Sequence, residues 1–479
     1  MDFSIGLALG TAPTRERREI VSVLWAGGTG KSMKPGSTKT SSAAQRWYGA
    51  LTRSHIRVLW GSFLGWMFDG YEQYAIVIAL PSALRTLLKP EQLHRSSLYF
   101  GIILCVTLIG WGFGGLAGGI LADYVGRKRM MMLSVLVYAA FSGFSALSQS
   151  FAMLGFFRFV TGLAIGSEWS TGVTLIAETW PDQARAKGCG FLQSAIGAGM
   201  LVAVTVWYGL VHFNPSGSQN WRILFLLGAL PALLVLYLRK GLEESDRWIT
   251  ALKERRWRAT EDGGTPAPNS GRRPFTLAAI WRDPESRKRL LLASLLSLST
   301  VIGWWAVSTL LPQFTNQLAK TRNAGDNWGN RAAMLYLIGA IVAYCASGFM
   351  IDALGRRRYV AVAYFGALIM TPLTYLWSGS LPAFLFIVFV NGFFTQGCCY
   401  AWMAIYVGEM FSSSVRATAS SFVFNSPRFV AGLFTVGAGL MIEGLGGASR
   451  TAVILGSIYI VGVVLPWFLP ETAGEALPL

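Results

Sequence analysis

Long apolar stretches, separated by short polar breaks, run along most of the chain. Twelve stand out: Val58–Leu84, Leu98–Asp123, Met130–Ser148, Phe151–Glu178, Gly188–Val211, Trp221–Leu238, Leu290–Gln313, Arg331–Asp352, Tyr359–Trp377, Leu381–Val407, Ala417–Ile442 and Thr451–Leu469. About 20 apolar residues in helical form cross the hydrocarbon core of a bilayer, so each predicts a membrane-spanning helix. The sixth and seventh are separated by a long hydrophilic segment, which divides the spans six and six. The predicted fold is an all-α membrane protein of two pseudo-symmetric six-helix bundles. The expected organisation is a tail over 1–54, a first bundle over 55–240, a linker over 241–289, a second bundle over 290–470 and a short tail over 471–479.

The polar breaks repeat as well. The second span ends in Gly119-Ile120-Leu121-Ala122-Asp123-Tyr124-Val125-Gly126-Arg127-Lys128-Arg129. The eighth ends in Gly348-Phe349-Met350-Ile351-Asp352-Ala353-Leu354-Gly355-Arg356-Arg357-Arg358, with every matched position 229 residues later. Glu178 precedes Arg185 by seven, and Glu409 precedes Arg416 by seven. Such a duplicated acid–glycine–base signature points to two membrane-embedded halves of one design.

Composition agrees. The 479 residues are 53% hydrophobic and only 14% charged, against about 25% for a soluble protein. The net charge of +17 does not indicate nucleic acid, because the bases cluster beside the apolar spans and read as anchors at the cytoplasmic face. Bases follow spans 2, 4, 8 and 10, and residues 239–289 hold 13 Lys/Arg against 8 Asp/Glu; both termini are therefore expected in the cytoplasm. Five cysteines, in or next to apolar segments, show no disulfide or metal spacing. Residues 1–50 read as a tail, with Lys31–Ala44 too polar to fold. Gly30-Lys31-Ser32 ends like a phosphate-binding loop, but Trp25 stands where its first glycine should be. Phe3–Leu9 is too short for a signal peptide, and Met33 is a candidate alternative start. Gly- and Pro-rich Asp262–Pro274 should be flexible, and its flanks can form short amphipathic helices.

Signature, span count and basic central loop together resemble the major facilitator superfamily over about residues 55–472. Asp69-Gly70-Tyr71-Glu72 resembles the first-span motif of the aromatic-acid and sialate proton symporters, and Gln193-Ser194 a fifth-span pair there. Glu409-Met410-Phe411, Arg416-Ala417-Thr418 and Asn425-Ser426-Pro427-Arg428 look like the pattern of spans 10 and 11. Glu244-Ser245-Asp246-Arg247-Trp248 and Pro470-Glu471-Thr472 resemble the endings of the two halves, with Asp246 in place of a proline. Sugar porters share several of these features, but Gly303–Leu310 lacks their seventh-span sequence. The resemblance implies a proton-coupled importer of a small organic anion.

Charges inside a bilayer are expensive and persist where they pair, line water or move. Asp69, Glu72 and Gln73 lie three and four residues apart and can share a helix face. At about 1.5 Å per residue, Glu72 and Arg158 fall at nearly equal depth, with Asp69 about 5 Å nearer the cytoplasm. Since the resemblance makes spans 1 and 4 neighbours, an acid–arginine pair there is either a packing device or a proton switch, in which a substrate carboxylate competes for Arg158. Asp69 is the expected carrier. Glu168, deeper still, can pair with a cytoplasmic base or take a substrate or proton role. Gly162 and Gly166, in register with Arg158, permit close helix approach. Arg428, three residues after Asn425, can hold a carboxylate bidentately or serve a carbonyl or Glu443. Gln193, Asn391 and Gln396 are candidate hydrogen-bonding groups, and Tyr71 and Trp305 the first candidates for an aromatic wall that can also include Trp66, Tyr74, Trp304, Tyr400 and Trp402.

The signature itself reads as a gate. Asp123 with Gly126, Arg127 and Arg129, Asp352 with Arg356, and the pairs Glu178–Arg185 and Glu409–Arg416 can tie the cytoplasmic ends together, Asp123 facing the positive start of span 11. The expected partners are a small-molecule substrate, protons and lipid, the working unit a monomer, with no nucleic acid, metal or cofactor. A sugar or metabolite facilitator, a drug or metabolite exporter and a solute receptor are the alternatives. His55, His94 and His212 form no catalytic or metal constellation, which argues against an enzyme.

Overall fold

The structure, a computed structural model, describes residues 47–231, 233, 244–253, 275–324 and 328–478. The tail through residue 46, the phosphate-loop look-alike, Met33, the end of the sixth span and Asp262–Pro274 lie outside these. Every helix described belongs to one compact unit, Ala50–Leu479.

Its first half comprises α1 (Arg53–Leu87), α2 (Ser96–Val125), α3 (Arg127–Ala146), α4 (Phe151–Thr179), α5 (Asp182–Phe213) and α6 (Asn220–Leu227). Two short helices, α7 (Asp246–Lys253) and α8 (Thr276–Arg282), flank the central segment. The second half comprises α9 (Pro284–Lys320), α10 (Trp328–Leu354), α11 (Arg356–Tyr375), α12 (Leu381–Gly392), α13 (Cys399–Ile405), α14 (Arg416–Asn425), α15 (Pro427–Gly444), α16 (Ala448–Gly456) and α17 (Tyr459–Val464).

Among the described residues, eight helical segments are long and apolar enough to cross a membrane on those two criteria. The other expected spans fail them for physical reasons. Within α1 lie Asp69, Glu72 and the bases at its ends; the sixth span is only partly described; α11 begins in three arginines and carries Pro372; the eleventh is interrupted at Ser426, before Pro427. In the tenth span a π-helical turn, Phe393–Cys398, separates α12 from α13.

Packing follows the duplication. In the first half α1 lies against α5 and α2 against α4; in the second, α10 lies against α12. The halves meet through α2 with α14 and α15, and through α5 with α10. Close approach of α2 and α4 depends on glycine: a Cβ on Gly162 or Gly166 would strike the carbonyl of Thr107 or Trp111. Pro81 in α1 and Pro312 in α9 occupy matching places and each remove one helical hydrogen bond.

Each signature turns at its glycine. Gly126 (φ 107°) and Gly355 (φ 82°) adopt a left-handed conformation that strains any other residue. The exposed N–H groups that follow are capped by glutamates from far along the chain. Glu244 accepts from Arg127 and Lys128 at 3.1 and 3.2 Å; Glu471 accepts from Arg356 and Arg357 at 2.9 and 3.1 Å. The indole of Trp248 donates to the Asp123 carbonyl, and Thr472 Oγ1 to Glu409. Thus the end of each half folds back onto that half's own signature. Burial alone would raise the Glu471 carboxyl, but the N–H groups of Arg356, Arg357 and Ala473 and the Arg356 charge hold it below its ordinary value.

Candidate functional site

A narrow central cavity lies between the halves, with about 30 Å³ open to a water-sized molecule, well below the ~300–1,000 Å³ range of occupied ligand pockets, so the halves stand closed around it. The first half contributes Trp66, Gln73, Trp111 and Gln193 to its lining, the second Trp304, Trp305, Tyr400, Gln396 and Arg428. On the signature side an aromatic floor closes it. Trp169 stacks on Phe424 across the two halves at 3.7 Å, and Trp66 packs edge-on against the same ring. Opposite, a wider vestibule is lined by residues from Pro81 to Leu104 and by α9, including Trp305. A small void beside Glu72 and Arg158 shares Gln73, Trp111 and Trp305 with the central cavity. Trp305 therefore stands where all three spaces meet.

Arg428 is the cation of this cavity. Its guanidinium lies over the rings of Trp111 (4.5 Å) and Phe424 (3.9 Å), and one N–H donates to the Phe424 carbonyl. It is buried, and among the described residues no carboxylate is paired with it. The Glu443 side chain, its expected alternative partner, lies outside the described residues. Gln193 Oε1 accepts from Trp169 Nε1 at 2.6 Å, whereas Gln73 Oε1 and Gln396 Oε1 have no partner among the described residues. Three amides and one cation thus converge among aromatic walls.

The first half supplies a second charged group. Arg158 donates to Glu72 Oε2 at 2.8 Å and to Ser145 Oγ at 2.8 and 2.9 Å; Ser142 donates to the other Glu72 oxygen. The guanidinium meets the acid at its own depth. Asp69, one helical turn away, is fully buried and does not join this pair. It lies instead beside Glu168 of α4, which among the described residues has no cytoplasmic base for a partner.

Several other residues face elsewhere. Tyr71 is in the first-half core and donates to the Leu224 carbonyl. Asn425 bonds Ser421 and approaches Gly115 of α2. Asn391 bonds Met370 and Thr374 inside the second half. Tyr74 packs in the first-half core, and Trp402 donates to Tyr364.

At the signature end a dry network joins the halves. Arg127 pairs with Asp123 (3.0 Å) and Glu178 (3.2 Å), and Arg416 of the second half reaches the same Glu178 oxygen at 3.0 Å. Asp123 Oδ2 accepts from the backbone N–H and the hydroxyl of Thr418, at the start of α14. The matching side is wetter. Asp352, with 31% of its side chain exposed, pairs with Lys187 (2.6 Å) and Arg356 (3.3 Å). Arg356 holds Glu409 at 2.8 Å, and Arg185 pairs with Asp182. Arg129 is exposed.

Two pseudo-symmetric helical halves, a cavity between them and a vestibule at one end define the major facilitator fold. The chain belongs to the family described as "Sugar (and other) transporter", whose pattern matches residues 58–478. Such proteins are membrane transporters, not enzymes. It is 26% identical over 433 residues to a probable 4-methylmuconolactone transporter of Cupriavidus pinatubonensis, covering 90% of this chain and 94% of that one. It is 26% identical over 415 residues to the cis,cis-muconate transport protein of Acinetobacter baylyi, covering 86% and 93%. Among solved structures, the proton:xylose symporter bound to 6-bromo-6-deoxy-D-glucose superposes with a TM-score of 0.71 at 18% identity, covering 88% of this chain and 98% of that one.

Proposed function

We propose that the protein imports a small organic anion together with protons, by alternating access. Arg428 carries this reading. A buried cation without a counter-charge costs several kcal/mol, and a carboxylate entering the cavity would satisfy it with two parallel hydrogen bonds. The Gln73 and Gln396 carbonyl oxygens have no partner among the described residues, and their amides can hold the rest of the solute. Relatives named for muconate and 4-methylmuconolactone transport support an organic acid as cargo.

The Lys/Arg distribution argues for signature loops and both termini in the cytoplasm. The vestibule then faces outward, and the dry network is the closed cytoplasmic gate. Turnover rocks one half against the other around the cavity. Proton coupling is proposed because buried acids stand one helix away from the anion site.

Thermal-shift titration of the purified chain with cis,cis-muconate, nicotinate, sialate and xylose tests the cargo class. Stabilisation by a carboxylate, lost in Arg428→Gln, is the expected result. Stabilisation by xylose alone, unchanged in that variant, would establish the sugar reading that the cavity's amides and indoles also permit.

A further inference from the structure

We propose that Asp69 and Glu168 form one proton site, a carboxyl group hydrogen-bonded to a carboxylate. This rests on the proton-coupled reading and replaces a lone Asp69 as the carrier.

Both side chains are fully buried, and among the described residues neither approaches a base. All four carboxyl oxygens lack a donor among those residues unless one carboxyl is protonated and donates to the other. Two neighbouring carboxylates without a cation cannot both be ionised in a dry interior; sharing one proton removes the repulsion and fills the missing hydrogen bond. The surroundings are specific. Gly65, one turn before Asp69, leaves room for the Glu168 carboxyl, which a Cβ there would strike. Tyr138 of α3 is fully buried, its hydroxyl has no partner among the described residues, and it lies in the field of Asp69, Glu168 and Glu72. The nearby guanidinium of Arg158 is already held by Glu72. So the facing groups described are one neutralised ion pair and one phenol, and neither supplies a counter-charge to the two acids.

Position suits release. Asp69 lies three residues before Glu72, about 5 Å closer to the signature end, and Glu168 lies closer still to the end of α4. When that end opens, water reaches the pair, both carboxylates become hydrated and the shared proton passes to water. The proton that makes the pair fit for burial again is taken up from the vestibule side, so that each cycle carries one proton inward. The pair cycles between two charges, −2 hydrated and −1 dry.

Infrared spectroscopy of the full chain in liposomes at neutral pH, in H₂O and D₂O, reads the carbonyl stretch of a protonated carboxylic acid directly. Wild type should show such a band, and both Asp69→Asn and Glu168→Gln should remove it, because the remaining acid then ionises against an amide donor. The isosteric changes should leave folding intact, and Gly65→Ala, which displaces Glu168, should shift the band. A band that survives unchanged in Glu168→Gln, or that is absent from wild type, would overturn the proposal. Transport separates this from the underlying reading. Glu168→Gln should lose accumulation of cis,cis-muconate driven by a pH gradient while keeping counterflow. If it accumulates normally, the shared site is wrong and symport stands. If wild type accumulates nothing while the band behaves as expected, symport is wrong and the shared proton stands.

Discussion

The two halves share a scaffold and differ in their charges. Each has the same signature turn, the same glycine with positive φ and the same long-range glutamate cap. Between the ends, the first half holds Asp69, Glu72, Arg158 and Glu168 in its core, all buried. The second half faces the cavity with Arg428 amid tryptophans, tyrosines and Gln396. The first half is over-supplied with acid, and the second has a cation to spare. Each imbalance is the complement of one proposed cargo: a proton for the acids, an anion for the arginine. The duplicated elements are the signature turns and their caps, while the buried charges differ between the copies.

Breaking the two arginines should give opposite results. Arg158→Gln strands Glu72 in the core and should cost about 3–5 kcal/mol, seen as a large fall in thermal midpoint that Glu72→Gln in the same chain restores. Arg428→Gln strands nothing, so its midpoint should hold or rise while carboxylate binding is lost. Equal destabilisation of both would end the distinction between a paired and an unpaired cation. Arg158→Lys should also be severely impaired in uptake, since an ammonium cannot copy the planar fork.

The proposed gate offers a smaller contrast. Glu178→Gln, in the dry network, should favour opening by about 3 kcal/mol, read as faster cysteine labelling at the signature end. Asp352→Asn, in the wetter matching tie, should change it by less than about 1 kcal/mol. Smaller still are the turns: Gly126→Ala and Gly355→Ala should each cost about 1–2 kcal/mol in thermal stability. The smallest effect expected is from Glu471→Gln, about 1 kcal/mol near neutral pH. Because the folded carboxyl is held below its ordinary value, its contribution is complete above about pH 4.3 and fades as pH falls through the folded value. The variant and wild type should therefore converge in acid.

Repeat and depth were the parts legible in the chain. The signatures and the six-and-six division follow from spacing; the Glu72–Arg158 meeting follows from helical rise together with the family resemblance, which makes spans 1 and 4 neighbours. Which way a residue faces did not, because a helix that is apolar all round shows no favoured side. That is why Tyr71 and Asn425 turn away from the cavity while Gln73 and Arg428 enter it. The π-helical turn at Phe393–Cys398 rotates the helix beyond it, and no residue pattern announces it. The caps from Glu244 and Glu471 sit over 100 residues from their targets; their motifs were recognisable, but not what they touch. The Asp69–Glu168 contact had one sign, Gly65 a turn before Asp69, whose meaning depends on α4 packing there.

Uptake of cis,cis-muconate into proteoliposomes with an imposed inward proton gradient, with external pH followed at the same time, tests the central claim most directly. Wild type should accumulate the anion above equilibrium and alkalinise the outside as it does so. Asp69→Asn should equilibrate the anion without moving protons. Uphill accumulation by Asp69→Asn equal to that of wild type would contradict the account.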